Sequence, residues 1–162
     1  MGLNVSKRVE KSLRSSPEFD AACESVYDRC LADAQHAFPG VRPYQLASAV
    51  TRLHATLSAS LPLVRRWVPL APRGQAQVDA ALRRVDPEAE ALGLAEFRAF
   101  AVELFKDAIL AGAGSAVLRR VPIGVAGIAG VGMVTHAGAE VVGRVMGVYA
   151  AGVVAAVFLS LS

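Results

Sequence analysis

Residues 121–161 read VPIGVAGIAGVGMVTHAGAEVVGRVMGVYAAGVVAAVFLSL, and in these 41 positions only His136, Glu140 and Arg144 can carry charge near neutral pH. From Val145 to Leu161 no charged residue occurs. A helix buried on one side alternates an apolar stripe with a polar face, and this stretch has no polar face. Two apolar blocks are expected. One runs from Val121 to Gly138, with Pro122 in a first turn, and one from Val145 to Leu161. Each is at or just below the ~17–25 residues that span a bilayer. Hydropathy therefore leaves three arrangements: a hairpin of two short spans, one span beside an interfacial segment, or one long buried helix. On a continuous helix Glu140 and Arg144 pair four residues apart.

Small residues sharpen the expectation. Ala139, Gly143, Gly147, Ala151 and Ala155 recur every four positions. On a helix they form a smooth ridge that lets backbones approach closely, as in small-xxx-small membrane packing. The first block carries Gly124, Gly127, Gly130 and Gly132. Each Gly costs a soluble helix about 1 kcal/mol relative to Ala, whereas membrane helices carry Gly more often. The competing reading is an apolar hairpin covered inside a helical bundle or oligomer.

The whole chain has 162 residues, 54% of them hydrophobic, with a formal net charge of +3. Its apolar excess lies at the C-terminal end. A small positive charge favours an anionic membrane face. Nucleic acid is not expected, because the basic residues are not interleaved with stacking aromatics. No secretory signal is expected, since residues 1–20 lack an apolar core. Cys23 and Cys30 lie two turns apart on one helix, too far for a disulfide within it, and read as small core residues.

The chain opens Met1-Gly2-Leu3-Asn4-Val5-Ser6, the M-G-x-x-x-[ST] pattern of N-myristoylation, which needs the freed amine of Gly2. One acyl chain binds membranes only marginally and needs a second signal. Lys7, Arg8, Lys11 and Arg14 supply one, at about 1 kcal/mol each near an anionic surface.

Ser15-Ser16-Pro17-Glu18 begins the first firmly expected helix with an S-x-x-E capping box, and Pro39-Gly40 ends it. Leu46, Val50, Leu53, Leu57 and Leu61 define a second helix after Pro43. Leu63 to Val68 is a short helical turn in which Trp67, with Arg65 and Arg66, sits at a membrane interface or caps the core. Gln75–Val85 is a third helix. A fourth begins near Leu94, buries Phe97, Phe100, Ala101, Leu104, Phe105 and Ile109, and ends near Arg119-Arg120. His54 flanks an apolar stripe as a structural residue, and no carboxylate is spaced to complete a triad with His36.

Between the third and fourth helices lies Asp86-Pro87-Glu88-Ala89-Glu90-Ala91-Leu92-Gly93, followed by Glu96-Phe97. Residues 78–105 resemble a degenerate EF-hand: helix, acid-rich loop, helix. Counted from Asp86, Glu88 and Glu90 take positions 3 and 5 of the calcium loop. Ala91 stands where Gly belongs, Phe97 stands at position 12, and Glu96 comes one residue early. The resemblance implies a calcium-responsive protein, but a displaced carboxylate cannot close the coordination shell without remodelling the loop.

No phosphate-binding glycine loop, HExxH or GxSxG motif is present, and strand-like alternation is missing, so neither catalytic residues nor a metal or cofactor is expected. The expected architecture is all-α. Residues 1–15 form a basic, N-myristoylated segment, 16–107 a helical bundle, and 108–162 a Gly/Ala-rich hydrophobic helical hairpin in contact with membrane. The expected function is a non-enzymatic adaptor or scaffold on the cytosolic face of a membrane. Its partners are lipid and a protein, or a second copy, met through the small-residue ridge. The alternatives are a soluble interaction module with its apolar tail covered, or the calcium-responsive protein.

Overall fold

The computed structural model describes residues 2–134, together with Ala156 and Leu159. It is all-α: the described residues form six helices and one short 3-10 turn, and no strand. The chain divides into two compact units, Met1–Leu110 and Ala111–Ser162. The small-residue ridge of Ala139, Gly143, Gly147, Ala151 and Ala155 lies outside the described residues, as does the expected hairpin break.

Helix α1 spans Gly2–Arg14. Val5, Val9 and Leu13 recur every four residues and are 9%, 0% and 1% exposed, so the basic segment is itself a core-bearing helix. The turn at Ser15 leads into α2, Pro17–Asp33. Pro17 occupies the first helical position, which makes Ser16 rather than Ser15 the cap: Phe19 N–H donates to Ser16 Oγ at 3.2 Å. Ser16 Oγ in turn donates to the Glu18 carboxylate at 2.9 Å. A proline with no N–H is suited to that first position, so Ser16 caps the helix alone and the expected Ser15–Glu18 box does not form.

Helix α2 stops at Asp33, short of the expected Pro39-Gly40. Gln35 N–H donates to Ala32 O at 2.9 Å and His36 N–H to Leu31 O at 2.8 Å. These are the paired bonds of a Schellman ending. Gln35 and His36 hold φ of 54° and 57°, a left-handed conformation that side chains disfavour by about 1–2 kcal/mol per residue. The chain then passes through a 3-10 turn, Pro43–Gln45, into α3, Leu46–Ser60. Gln45 ties the loop together: its Oε1 accepts from Arg42 N–H at 3.0 Å, and its Nε2 donates to Cys30 O at 2.9 Å.

Helix α4, Pro62–Trp67, buries Val64 and Trp67. Trp67 is 5% exposed, so it closes the bundle core and is not available to a membrane interface. Arg65 and Arg66 remain outside, the latter stacked 5.0 Å from the Trp67 ring centroid. Arg65 Nε donates to Ser58 O at 3.1 Å, covering a carbonyl left open at the end of α3.

Helix α5, Gln75–Val85, matches its expected bounds. Helix α6 runs from Leu94 to Val134 without a break. The expected end at Arg119-Arg120 is therefore corrected, and Pro122 lies inside a helix rather than opening one. Gly112 and Gly114 were the weak points before it, and at about 1 kcal/mol each they do not stop a helix that Leu, Ala and Val otherwise support. The lost N–H at Pro122 removes one backbone bond.

In the first unit Phe97, Phe100 and Phe105 of α6 are fully buried with Phe19, Leu46, Leu53 and Leu57. Phe19 meets Phe105 edge-on at 6.5 Å, and Tyr27 meets Phe97 at 6.0 Å. Two helix–loop–helix segments, α2–α3 and α5–α6, meet at their loops. Val41 N–H donates to Leu92 O and Leu92 N–H to Val41 O, both at 2.8 Å. Gly40 permits this. A Cβ at Gly40 would overlap Leu92 O and stand 2.7 Å from Leu92 C.

Gly40→Ala should therefore cost about 2–3 kcal/mol, as overpacking against backbone does, read as a lower midpoint in urea unfolding. Gly114→Ala, which meets nothing within 4 Å, should be neutral or raise stability by about 0.5–1 kcal/mol.

Candidate functional site

Among the described residues both cysteines and His54 are packed into the bundle. Cys23 and Cys30 are free and buried. Burial pushes the Cys23 thiol up to about 12 and raises Cys30 as well, so neither is a ready nucleophile. His54 Nε2 lies 2.6 Å from Val68 O. A carbonyl only accepts, so that nitrogen carries the proton and pins α3 to the residue after α4. Ser58 Oγ stands 3.2 Å from the same nitrogen. His36 is exposed in the left-handed turn.

The acid-rich loop keeps its frame but not a metal cage. Asp86 Oδ1 accepts from Glu88 N–H at 3.1 Å, a local turn with Asp86, Glu88 and Glu90 exposed. The Glu96 carboxylate folds over Gly93, where an added Cβ would lie 2.6 Å from it. Phe97, at the position a bidentate glutamate would fill, is fully buried. Among the described residues no three His, Cys, Asp or Glu side chains gather as ligands.

What remains is the outward face of α1. At about 100° per residue, Lys7, Lys11 and Arg14 fall within an arc of roughly 60°. Val5, Val9 and Leu13 occupy the opposite side, and Arg8 stands on the flank. The four cations are exposed. Burial of the valines and Leu13 fixes the roll of the helix, and so turns the cations out together. Lys7, Glu10, Lys11, Arg14 and Ser15 line a shallow cleft of about 480 Å³. Gly2, the acylation candidate, is the first residue of the same helix.

Glu10 is the one acid in that cleft, and it is engaged from two sides. Arg14 Nε donates to its Oε1 at 2.9 Å, and Lys106 Nζ of α6 stands 3.6 Å from its Oε2. Lys106 is 12% exposed and also donates to Glu103 at 2.8 Å. Arg84 of α5 continues the chain of charges to Glu103 at 3.3 Å and Asp107 at 2.5 Å. The Arg14 hydrogen bond chiefly holds the Glu10 carboxyl below its ordinary value of 4.5; burial opposes it, and the Lys106 and Arg14 charges restore the lowering. Sequence reasoning missed this network. The spacings Glu10–Arg14 and Glu103–Lys106 were legible, but the link between α1 and α6 was not.

No helix among the described residues is long and apolar enough to cross a membrane. A second shallow cleft, of about 430 Å³, is lined by Ala47, Ser48, Thr51, Arg52 and Arg73. Arg52 there is bound to Asp33 at 2.6 Å.

A carboxyl depressed by folding adds stability above its unfolded-state value and loses it as pH falls through the folded-state one. Wild type should therefore exceed Glu10→Gln in urea midpoint at pH 7, and the gap should close in acid below 4.5. Cys23 should resist a maleimide at pH 8 in the folded chain and react once guanidinium unfolds it.

No family model, curated protein or solved structure matches the chain.

Proposed function

We propose that the chain is a non-enzymatic, membrane-associated adaptor that presents its helical bundle at an anionic lipid surface. The observation that carries this reading is the single outward stripe of Lys7, Lys11 and Arg14, on a helix whose other side is locked into the core. A cationic face on a rigid support loses little entropy on meeting a surface. Three cations supply about 3 kcal/mol near anionic lipid, which is weak on its own.

The charge-free run from Val145 to Leu161 supplies a second attachment, and an acyl chain on Gly2 would add a third. Such signals act together, because one binding event raises the effective concentration for the next. The bundle then serves as the part that meets a protein partner, on the cytosolic side where N-myristoylated chains stay.

Flotation of the full chain with phosphatidylcholine vesicles, with and without phosphatidylserine, tests the proposal. Binding should rise with phosphatidylserine and fall with salt. Lys7→Gln with Lys11→Gln should weaken the phosphatidylserine-dependent part roughly 30-fold, at about 1 kcal/mol per charge. Equal binding by the double variant at low salt would remove the role given to α1. Complete release of the full chain from cell membranes by carbonate would assign the apolar tail to protein rather than to lipid.

A further inference from the structure

Lys7, Lys11 and Arg14 share the shallow, open cleft on α1 with the Ser15 hydroxyl, so three cations and a neutral donor lie along one face. Glu10, which would otherwise repel an anion, already has both carboxylate oxygens engaged by Arg14 and Lys106. Lys106, 12% exposed, does not line the cleft and is paired with Glu10 and Glu103. Arg14 meets Glu10 through Nε, which leaves its terminal nitrogens for a second acceptor. The Ser15 hydroxyl makes only a long bond to Ser12 O at 3.3 Å and can be re-aimed at little cost.

We propose that this cleft takes a phosphomonoester, that of a phosphorylated inositol headgroup in the bilayer. The inference rests on the membrane reading above and names the lipid class for the same site. A phosphomonoester carries about −1.5 to −2 charges at pH 7 and three acceptor oxygens. The phosphodiester of an ordinary lipid carries one charge and fewer acceptors. Two ammonium groups, a guanidinium and a hydroxyl on one face favour the more highly charged of the two. Lys7 and Lys11 act as mobile point charges, while Arg14 offers paired N–H donors.

The test uses the full chain and two vesicle populations matched in surface potential. One contains phosphatidylinositol 4-phosphate and the other phosphatidylserine. Binding should be roughly fivefold or more tighter to the phosphoinositide vesicles, as expected for one further charge met at the cleft. Ser15→Ala and Lys11→Gln should each shrink that ratio, whereas Arg29→Gln with Arg83→Gln, two exposed cations on other helices, should leave it unchanged. Circular dichroism of each variant checks that the fold is kept. Equal binding to both populations, still lost on Lys7→Gln with Lys11→Gln, would overturn the headgroup assignment and leave the membrane reading standing. Absence of binding to either population would overturn both. Soluble inositol 1,4-bisphosphate should release the chain from the phosphoinositide vesicles only. If it binds the chain while those vesicles do not, the ligand is a free phosphate ester and the lipid assignment fails.

Discussion

The meeting of two loop backbones at Gly40 and Leu92 is the constraint on which the first unit depends. Helix pairs α2–α3 and α5–α6 each bury an apolar face, but hydrophobic burial is not directional. The reciprocal bonds between Val41 and Leu92 set the register in which those faces meet. A pair of buried backbone groups left unbonded would cost more than the bridge contributes, so the approach is close to obligatory once the core forms. Gly40 is the residue that lets it happen. The left-handed turn at Gln35 and His36 and the bonds of Gln45 bring the chain to that point after α2 ends.

Helix α1 follows from the same packing by a different route. Val5, Val9 and Leu13 are modest side chains, and their burial stabilises α1 on the bundle through a narrow strip. Charges complete the attachment: Arg14, Glu10, Lys106, Glu103 and Arg84 link α1, α6 and α5 in one chain. Exposed ion pairs contribute little singly. This set differs because Lys106 and Glu103 are 12% and 17% exposed. A cation so placed needs its carboxylate partners, and Arg14 with Lys106 holds Glu10 in the ionised state. The outcome is a helix whose cations face solvent in a fixed group, with its single acid already satisfied.

Much of the first unit was legible in local pattern. The bounds of α5, the buried phenylalanines of α6, the stripe of α3 and the structural place of His54 all follow from periodicity and from Gly and Pro punctuation. The errors also have physical causes. The cap of α2 shifted because Pro17 takes the first helical position. The end of α2 moved because a Schellman turn can form on Gln and His, which carry no breaker signal. Helix α6 runs past Arg119 and Pro122, although a proline inside a helix costs about 3 kcal/mol, so that local signal does not mark its end. In the first fifteen residues Val5, Val9 and Leu13 recur every four positions, a stripe of only three modest side chains among charged neighbours.

The amino-acid order alone determined that the chain is helical, which residues line each apolar stripe, and that the tail from Val145 is uniformly apolar. These are properties of neighbours along the chain, set by spacing and propensity. Only the tertiary structure decided that Lys106 reaches Glu10, that Trp67 is enclosed, that Glu96 folds over Gly93 instead of joining a cage, and that Gly40 lies against Leu92. Each of those joins residues far apart in sequence. Their meeting is selected by burial and by backbone bonding in the assembled bundle, and no local spacing encodes it.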